Sequence, residues 1–149
     1  EHSFVVADIP GLIEGAADGA GLGVQFLKHL QRTRLLWHVI DLFPTEEDLT
    51  VTRQVRAIER ELKKFDPELM EKQRWLVLNK ADLLPPGEAE IRAKAVKRNL
   101  RWKGPIYVIS AVERRGLQPL IHETMAAIEA TRLREKPIVD EDAEAAPIE

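Results

Sequence analysis

Trp75-Leu76-Val77-Leu78-Asn79-Lys80-Ala81-Asp82 is the stretch that decides the fold. Four apolar residues in a row, with no polar alternation, describe a strand covered on both faces, as in a parallel sheet. Asn79-Lys80-x-Asp82 then stands where that strand ends, and ligands of open parallel sheets sit outside the carboxyl ends of the strands. Two other runs repeat the arrangement. Phe4-Val5-Val6-Ala7 leads into Asp8-Ile9-Pro10-Gly11, and Ile106-Tyr107-Val108-Ile109 leads into Ser110-Ala111. Taken alone, Asn-Lys-x-Asp is a short string that also suits an Asx turn ahead of Pro85. Three such strings, each after its own strand, argue instead for one pocket.

The residue types in these strings suit a guanine nucleotide. Asp82 offers two acceptors to the paired N1–H and N2–H₂ donors of guanine, a pair that adenine lacks. Asn79 can tie the base edge to neighbouring loops, and Lys80 can lay its methylene stem along the ring. Ala111, after Ser110, can give its backbone N–H to the base O6. At the other end of the ligand, Asp8 would face a magnesium ion through water, and Gly11, after Ile9 and Pro10, could present its N–H to a terminal phosphate. The structural alternatives are Asp8 as an N-terminal cap and Gly11 as a simple turn glycine. No G-x-x-x-x-G-K-[ST] loop occurs anywhere in the chain. That loop supplies most phosphate and magnesium contacts in this class of site, so the sequence reads as half of a nucleotide switch.

Outward from these strings, the periodicities alternate. Leu35 to Asp41 is a further strand closed by Pro44. Gly11 to Gly23 holds five glycines (11, 15, 19, 21 and 23) and is expected to change conformation easily, before a helix with Phe26, Leu27 and Leu30 on its apolar face. Val51, Val55, Ile58 and Leu62 predict a helix from about Glu47 to Lys64, stopped by Pro67. Pro85-Pro86-Gly87 precedes a helix from Glu88 to Leu100. A closing helix carries Leu117, Leu120, Ile121, Met125 and Ile128 in one stripe. Strands alternating with helices of this length imply βαβ units, an α/β fold with a parallel sheet flanked by helices. Residues 1–134 are expected to form the domain. The acidic, Ala/Pro-rich segment 135–149 reads as a disordered tail or linker.

Composition supports a globular chain of 149 residues, 44% hydrophobic and 32% charged, with net charge −3. That charge gives no global basic field, although Arg92, Lys94, Lys97, Arg98, Arg101 and Lys103 cluster locally. The cluster reads as a solvated helix face, with an RNA contact as the alternative. Zero cysteines exclude disulfides and thiolate metal sites and fit a reducing compartment, with cytoplasm the default. No apolar run approaches the roughly 20 residues that span a bilayer. The four histidines have no zinc spacing and read as structural, and Trp37, Trp75 and Trp102 read as core packing.

Asp8 to Ala16, continuing through Gly19-Ala20-Gly21-Leu22-Gly23 to Phe26-Leu27-Lys28-His29-Leu30, closely resembles the Obg family of bacterial GTPases. The resemblance runs from residue 1 to about 134, through Asn-Lys-Ala-Asp and Ile109-Ser110-Ala111. It implies the latter part of a P-loop NTPase-type G domain, in which Leu12, Ile13, Glu14 and Gly15 form a switch loop. It also implies slow GTP hydrolysis with Mg²⁺, association with the large ribosomal subunit, its rRNA and proteins, during assembly, and a stress response through guanosine tetraphosphate. A monomer is expected. The alternative to the hydrolysing switch is a nucleotide-dependent ribosome docking module whose hydrolysis is incidental. Where Ras-like enzymes place a water-positioning glutamine after Asp-x-x-Gly, this chain has Leu12, which cannot hydrogen-bond water. The phosphate loop and first switch of the family are expected upstream of Glu1. In a complete G domain a first strand lies between Phe4–Ala7 and Leu35–Ile40. This chain alone is therefore expected to have an opened sheet, to be marginally stable, to bind GTP very weakly and to hydrolyse none measurably. A different cofactor on a doubly wound fold is the remaining alternative, disfavoured because no G-x-G-x-x-G follows a strand.

Overall fold

A computed structural model describes residues 3–6, 29, 31–43 and 50–135. Its centre is a sheet of β1 (Leu35–Asp41), β2 (Gln73–Asn79) and β3 (Ile106–Val108), all parallel, in the order β1-β2-β3. β1 and β2 align from Leu35 opposite Gln73 to Asp41 opposite Asn79. Trp75 to Leu78 are buried without interruption, as the apolar run requires of a strand with both faces covered.

The helices follow from the crossovers. α1 (Val51–Phe65) joins β1 to β2 and α2 (Glu88–Leu100) joins β2 to β3. Both connections progress in the same direction, so a constant crossover hand places both helices on one face. There Ile40, Leu42, Val51, Val55, Leu76, Leu78, Val96 and Leu100 form a continuous core. α3 (Leu117–Glu135) covers the other face, where Leu120 packs with Trp75, Val77 and Ile109. At its start α1 is capped by the Thr50 side chain, which accepts from Arg53 N at 3.2 Å. α2 begins after Gly87 at φ 84° and ends on Arg101 at φ 51°, whose N–H returns to the last carbonyls. The tryptophans are packing residues as expected: Trp75 stacks with Tyr107, Trp37 donates to Thr124 Oγ1, and Trp102 lies under the Arg74 guanidinium.

Four expectations are corrected. Phe4-Val5-Val6 forms no strand: Val5 is 94% exposed, and Phe4 meets the edge of Trp37 at 6.1 Å. A parallel strand needs a ladder, and among the described residues β1 pairs only with β2. A cleft of about 670 Å³ lies there instead, lined by Phe4, Val6, Trp37, Val39 and Ile58 among others. Second, β3 ends at Val108, although Ile109 N still donates to Leu78 O. Third, Ile121 faces solvent, because α3 buries Leu120 and Thr124 and its stripe is turned by one position. Fourth, Glu135 closes α3, where it pairs with Arg34 at 2.9 Å, and so is no part of a tail. Ala7, the glycine-rich segment, Phe26, Leu27, Leu30, Glu47 and residues 136–149 lie outside the described residues. No helix among the described residues is long and apolar enough to cross a membrane.

Candidate functional site

Parallel strands deliver their carboxyl ends to one edge of the sheet, and the loops there interlock. Asn79 is the last residue of β2. Its side-chain Oδ1 accepts from Ala111 N at 3.0 Å, bridging to the loop after β3. Asp82 lies in a short 3₁₀ turn, Ala81–Leu83, where its Oδ1 accepts from Ser110 Oγ at 2.7 Å. Ser110 is fully buried, and its Oγ accepts in turn from Glu113 N at 3.1 Å. The Ser110 hydrogen is thus committed to Asp82, which fixes the carboxylate while Oδ2 keeps its acceptor sites unfilled among the described residues.

Lys80 adopts the left-handed conformation, φ 69° and ψ 31°, which is uncommon for a side-chain-bearing residue. The kink turns the chain from β2 into the 3₁₀ turn. It also sends the Lys80 ammonium across to Asp41 Oδ2, at the end of β1. Asp41 Oδ1 accepts from Phe43 N at 2.8 Å, and its carbonyl accepts from Gln54 Nε2 at 2.9 Å, so the anion is itself anchored. Sequence reasoning places Asp41 at a strand end without giving it a role. The signal is its position alone, an acid in a strand neighbouring the Asn-Lys pair, and the register supplies the rest by setting Asp41 opposite Asn79.

The loop after β3 is closed by a second device. Ser110 and Arg115 exchange two backbone hydrogen bonds at 3.0 Å, and Gly116 follows at φ 78°. A Cβ on Gly116 would stand 2.6 Å from Val108 O, so only glycine fits. Ala111 itself is exposed, with its N–H directed at Asn79 and not at open solvent. A ligand carbonyl reaching that N–H would have to share or replace the Asn79 contact.

The structure therefore brings Asn79, Lys80, Asp82, Ser110 and Ala111 together at one edge. Asp8, Ile9, Pro10, Gly11, Leu12, Ile13, Glu14 and Gly15 lie outside the described residues. Among those described, no group of three His, Cys, Asp or Glu residues could hold a metal ion. Of the histidines, His38 is buried in β1, and burial together with the nearby Arg74 pushes its pKa down to about 4. A neutral, packed imidazole fits the structural role expected of it. The chain matches the family described as 50S ribosome-binding GTPase over residues 1–80. The match takes in Asp8 to Gly11 and reaches Asn79-Lys80, ending short of Asp82 and Ser110.

Proposed function

The chain belongs to the 50S ribosome-binding GTPase family, and on that premise we propose that it is the base-reading and second-switch portion of an Obg-type GTPase. In this reading Asp82 recognises the guanine N1–H and N2–H₂, Asn79 fastens the two base loops together, Lys80 covers one face of the ring, and Ser110-Ala111 closes the edge near O6. The observation that carries the reading is the Ser110–Asp82 hydrogen bond, joined by the Asn79–Ala111 contact. Ser110 fills one acceptor site of Oδ1 from behind, so Oδ1 keeps a second site and Oδ2 keeps both of its own, which leaves two oxygens for two adjacent donors.

Asp8 and Gly11 are assigned to the phosphate end, with Leu12, Ile13, Glu14 and Gly15 as the switch that a γ-phosphate orders and hydrolysis releases. A magnesium ion suits this donor set, since Mg²⁺ keeps several waters and is held through one or two carboxylates plus nucleotide phosphates. It would neutralise charge on the transferring phosphoryl group. Leu12 cannot orient the attacking water, so turnover is slow and depends on another group or partner. The physiological setting we assign is assembly of the large ribosomal subunit, with guanosine tetraphosphate as a further ligand of the same site and cytoplasm as the compartment. In this proposal the domain runs from residue 1 to the end of α3 at Glu135. Leu12 also favours a second reading, a nucleotide-dependent ribosome docking module in which hydrolysis is incidental.

Turnover of GTP measured with and without purified large ribosomal subunits separates these readings, using the polypeptide that also carries a phosphate loop. Stimulation by the subunits supports the switch. Subunit binding that differs between GTP and GDP without stimulated turnover supports the docking module, and binding indifferent to the nucleotide defeats both.

A further inference from the structure

We propose that the outer face of α2 is a docking surface for the phosphate backbone of RNA, which rests on the ribosome-related reading above and names the chemistry of that contact. Lys94, Lys97 and Arg98 fall at i, i+3 and i+4, a single stripe of the helix, and Arg101 is the C-cap just past its end. All four are exposed, as is Lys103 just beyond. None of the five makes an ion pair among the described residues, whereas Arg34, Arg56, Arg74 and Lys80 all do. Lys63, in the last turn of the adjacent α1, is likewise exposed and makes no ion pair among the described residues. On α2 the exposed acid is Glu90, confined to the first turn.

The bland explanation is that cations favour the negative end of a helix dipole. It accounts for Lys97 and Arg98 in the last turn and for Arg101 at the C-cap, but not for Lys94 in the middle or for Lys103 beyond the end. A chain of net charge −3 that gathers unpaired cations on one stripe has segregated its charge, and segregated positive charge attracts a polyanion. Lysine is depleted from protein–protein interfaces, and Ile91 is the one large apolar residue exposed on α2, so an acidic protein partner fits poorly. A membrane surface fits no better, because the apolar side of α2, with Ala89, Val96 and Leu100, is already buried in the core. The reach from Lys94 to Arg101 is about 10 Å, comparable to the span of about four successive phosphates along one strand. The stripe lies toward the C-terminal end of α2, the pole of the sheet opposite the Asn79 and Ser110 loops.

The test compares the full chain with a K94Q/K97Q/R98Q/R101Q variant, binding a labelled short RNA duplex over a range of salt. Glutamine keeps helix propensity, so the fold and guanine-nucleotide binding are expected to persist, with the melting temperature lowered only slightly by the lost dipole contacts of Lys97 and Arg98. The variant is expected to bind at least about tenfold more weakly at low salt, with its log K against log salt slope reduced by about 3–4, the value for four lost phosphate contacts. Equal affinity and slope for the two proteins would overturn the proposal. So would displacement of the RNA by polyglutamate as effective as by unlabelled RNA at equal charge. Cosedimentation with purified large ribosomal subunits keeps the two readings apart. Undiminished subunit binding by the variant would sink the α2 proposal alone, and a wild-type chain that binds the duplex through α2 but not the subunits would sink the ribosome reading alone.

Discussion

Replacing Asp82 by Asn removes one negative charge and exchanges an acceptor for a donor, while leaving the size of the side chain almost unchanged. The substituted carboxamide can keep its Oδ1 on the Ser110 hydroxyl, because that hydrogen is held in place by the Glu113 N–H behind it. Its Nδ2 then meets the guanine N2–H₂, setting donor against donor, while Oδ1 still faces N1–H. The bond lost, to a charged acceptor, is worth about 1.5–3 kcal/mol, and the amino donor left unpaired costs about 1–3 kcal/mol more, so guanine binding weakens by roughly 3–6 kcal/mol. At 1.4 kcal/mol per tenfold this is about two to four decades. Xanthine presents a carbonyl where guanine has its amino group, which Nδ2 can satisfy, so xanthosine nucleotides should bind the variant better than guanosine nucleotides do. Folding should change little, since the buried Ser110 keeps a partner. Ligand-observed NMR of the chain with guanosine, adenosine and xanthosine diphosphates reads the result directly. A variant whose preference for guanosine is intact, or a wild-type chain that favours adenosine, would refute the assignment of Asp82.

Other expectations follow from single contacts. Asp41→Asn should leave the melting temperature nearly unchanged, because the Lys80–Asp41 pair is partly exposed and screened. Guanine nucleotides should nevertheless bind about tenfold more weakly, since an unpinned lysine must lose about 1.5–2 kcal/mol of side-chain freedom on binding; unaltered affinity by titration calorimetry would show that Asp41 does not position Lys80. Gly116→Ala forces a Cβ against Val108 O at a left-handed φ, a strain of about 1–3 kcal/mol, visible as a lower melting temperature together with weaker guanine binding. A variant as stable as the parent would mean that the loop relaxes freely. His38→Leu tests burial in β1. With its pKa at about 4 in the folded chain against about 6.5 when unfolded, the unfolded state binds more protons between these values, so stability present above pH 6.5 is lost as pH falls toward 4. The loss attributable to His38 is roughly 3 kcal/mol, and urea unfolding at pH 7 and pH 4.5 should show the leucine variant spared it; an identical acid dependence in both proteins would contradict the burial argument.

What the sequence makes legible is everything encoded over short range. The uninterrupted apolar run of β2, the helical spacing of Val51, Val55, Ile58 and Leu62, and the Pro-Pro-Gly break before Glu88 each specify an element through neighbouring residues. Glu88–Leu100 accordingly appears with the boundaries expected of it. Phe4-Val5-Val6 shows the limit of that reasoning. Its composition is as strand-like as that of Ile106-Tyr107-Val108, yet only the latter has a ladder, donated by Leu76 to Leu78. Strand propensity describes a fit to a pleated neighbour and has no effect where the neighbour is lacking.

The same distinction explains which parts of the candidate site can be read. Asn79, Asp82 and Ser110 stand out because strand ends are local features and ligands gather at them. Asp41 has no partner legible in the sequence, because its contact with Lys80 spans 39 positions and depends on the register of β1 against β2. A slip of one residue would turn Asp41 to the other face of the sheet and separate it from Lys80. The register is held instead by the buried alternation of Leu36, His38 and Ile40 against α1, and by the Leu42 N to Asn79 O hydrogen bond just past the strand end. The apolar packing of β1 therefore sets the position of a charged pair at its tip. A substitution deep in β1 that shifts this register, with no contact to any ligand, should disturb Lys80 before it unfolds the domain.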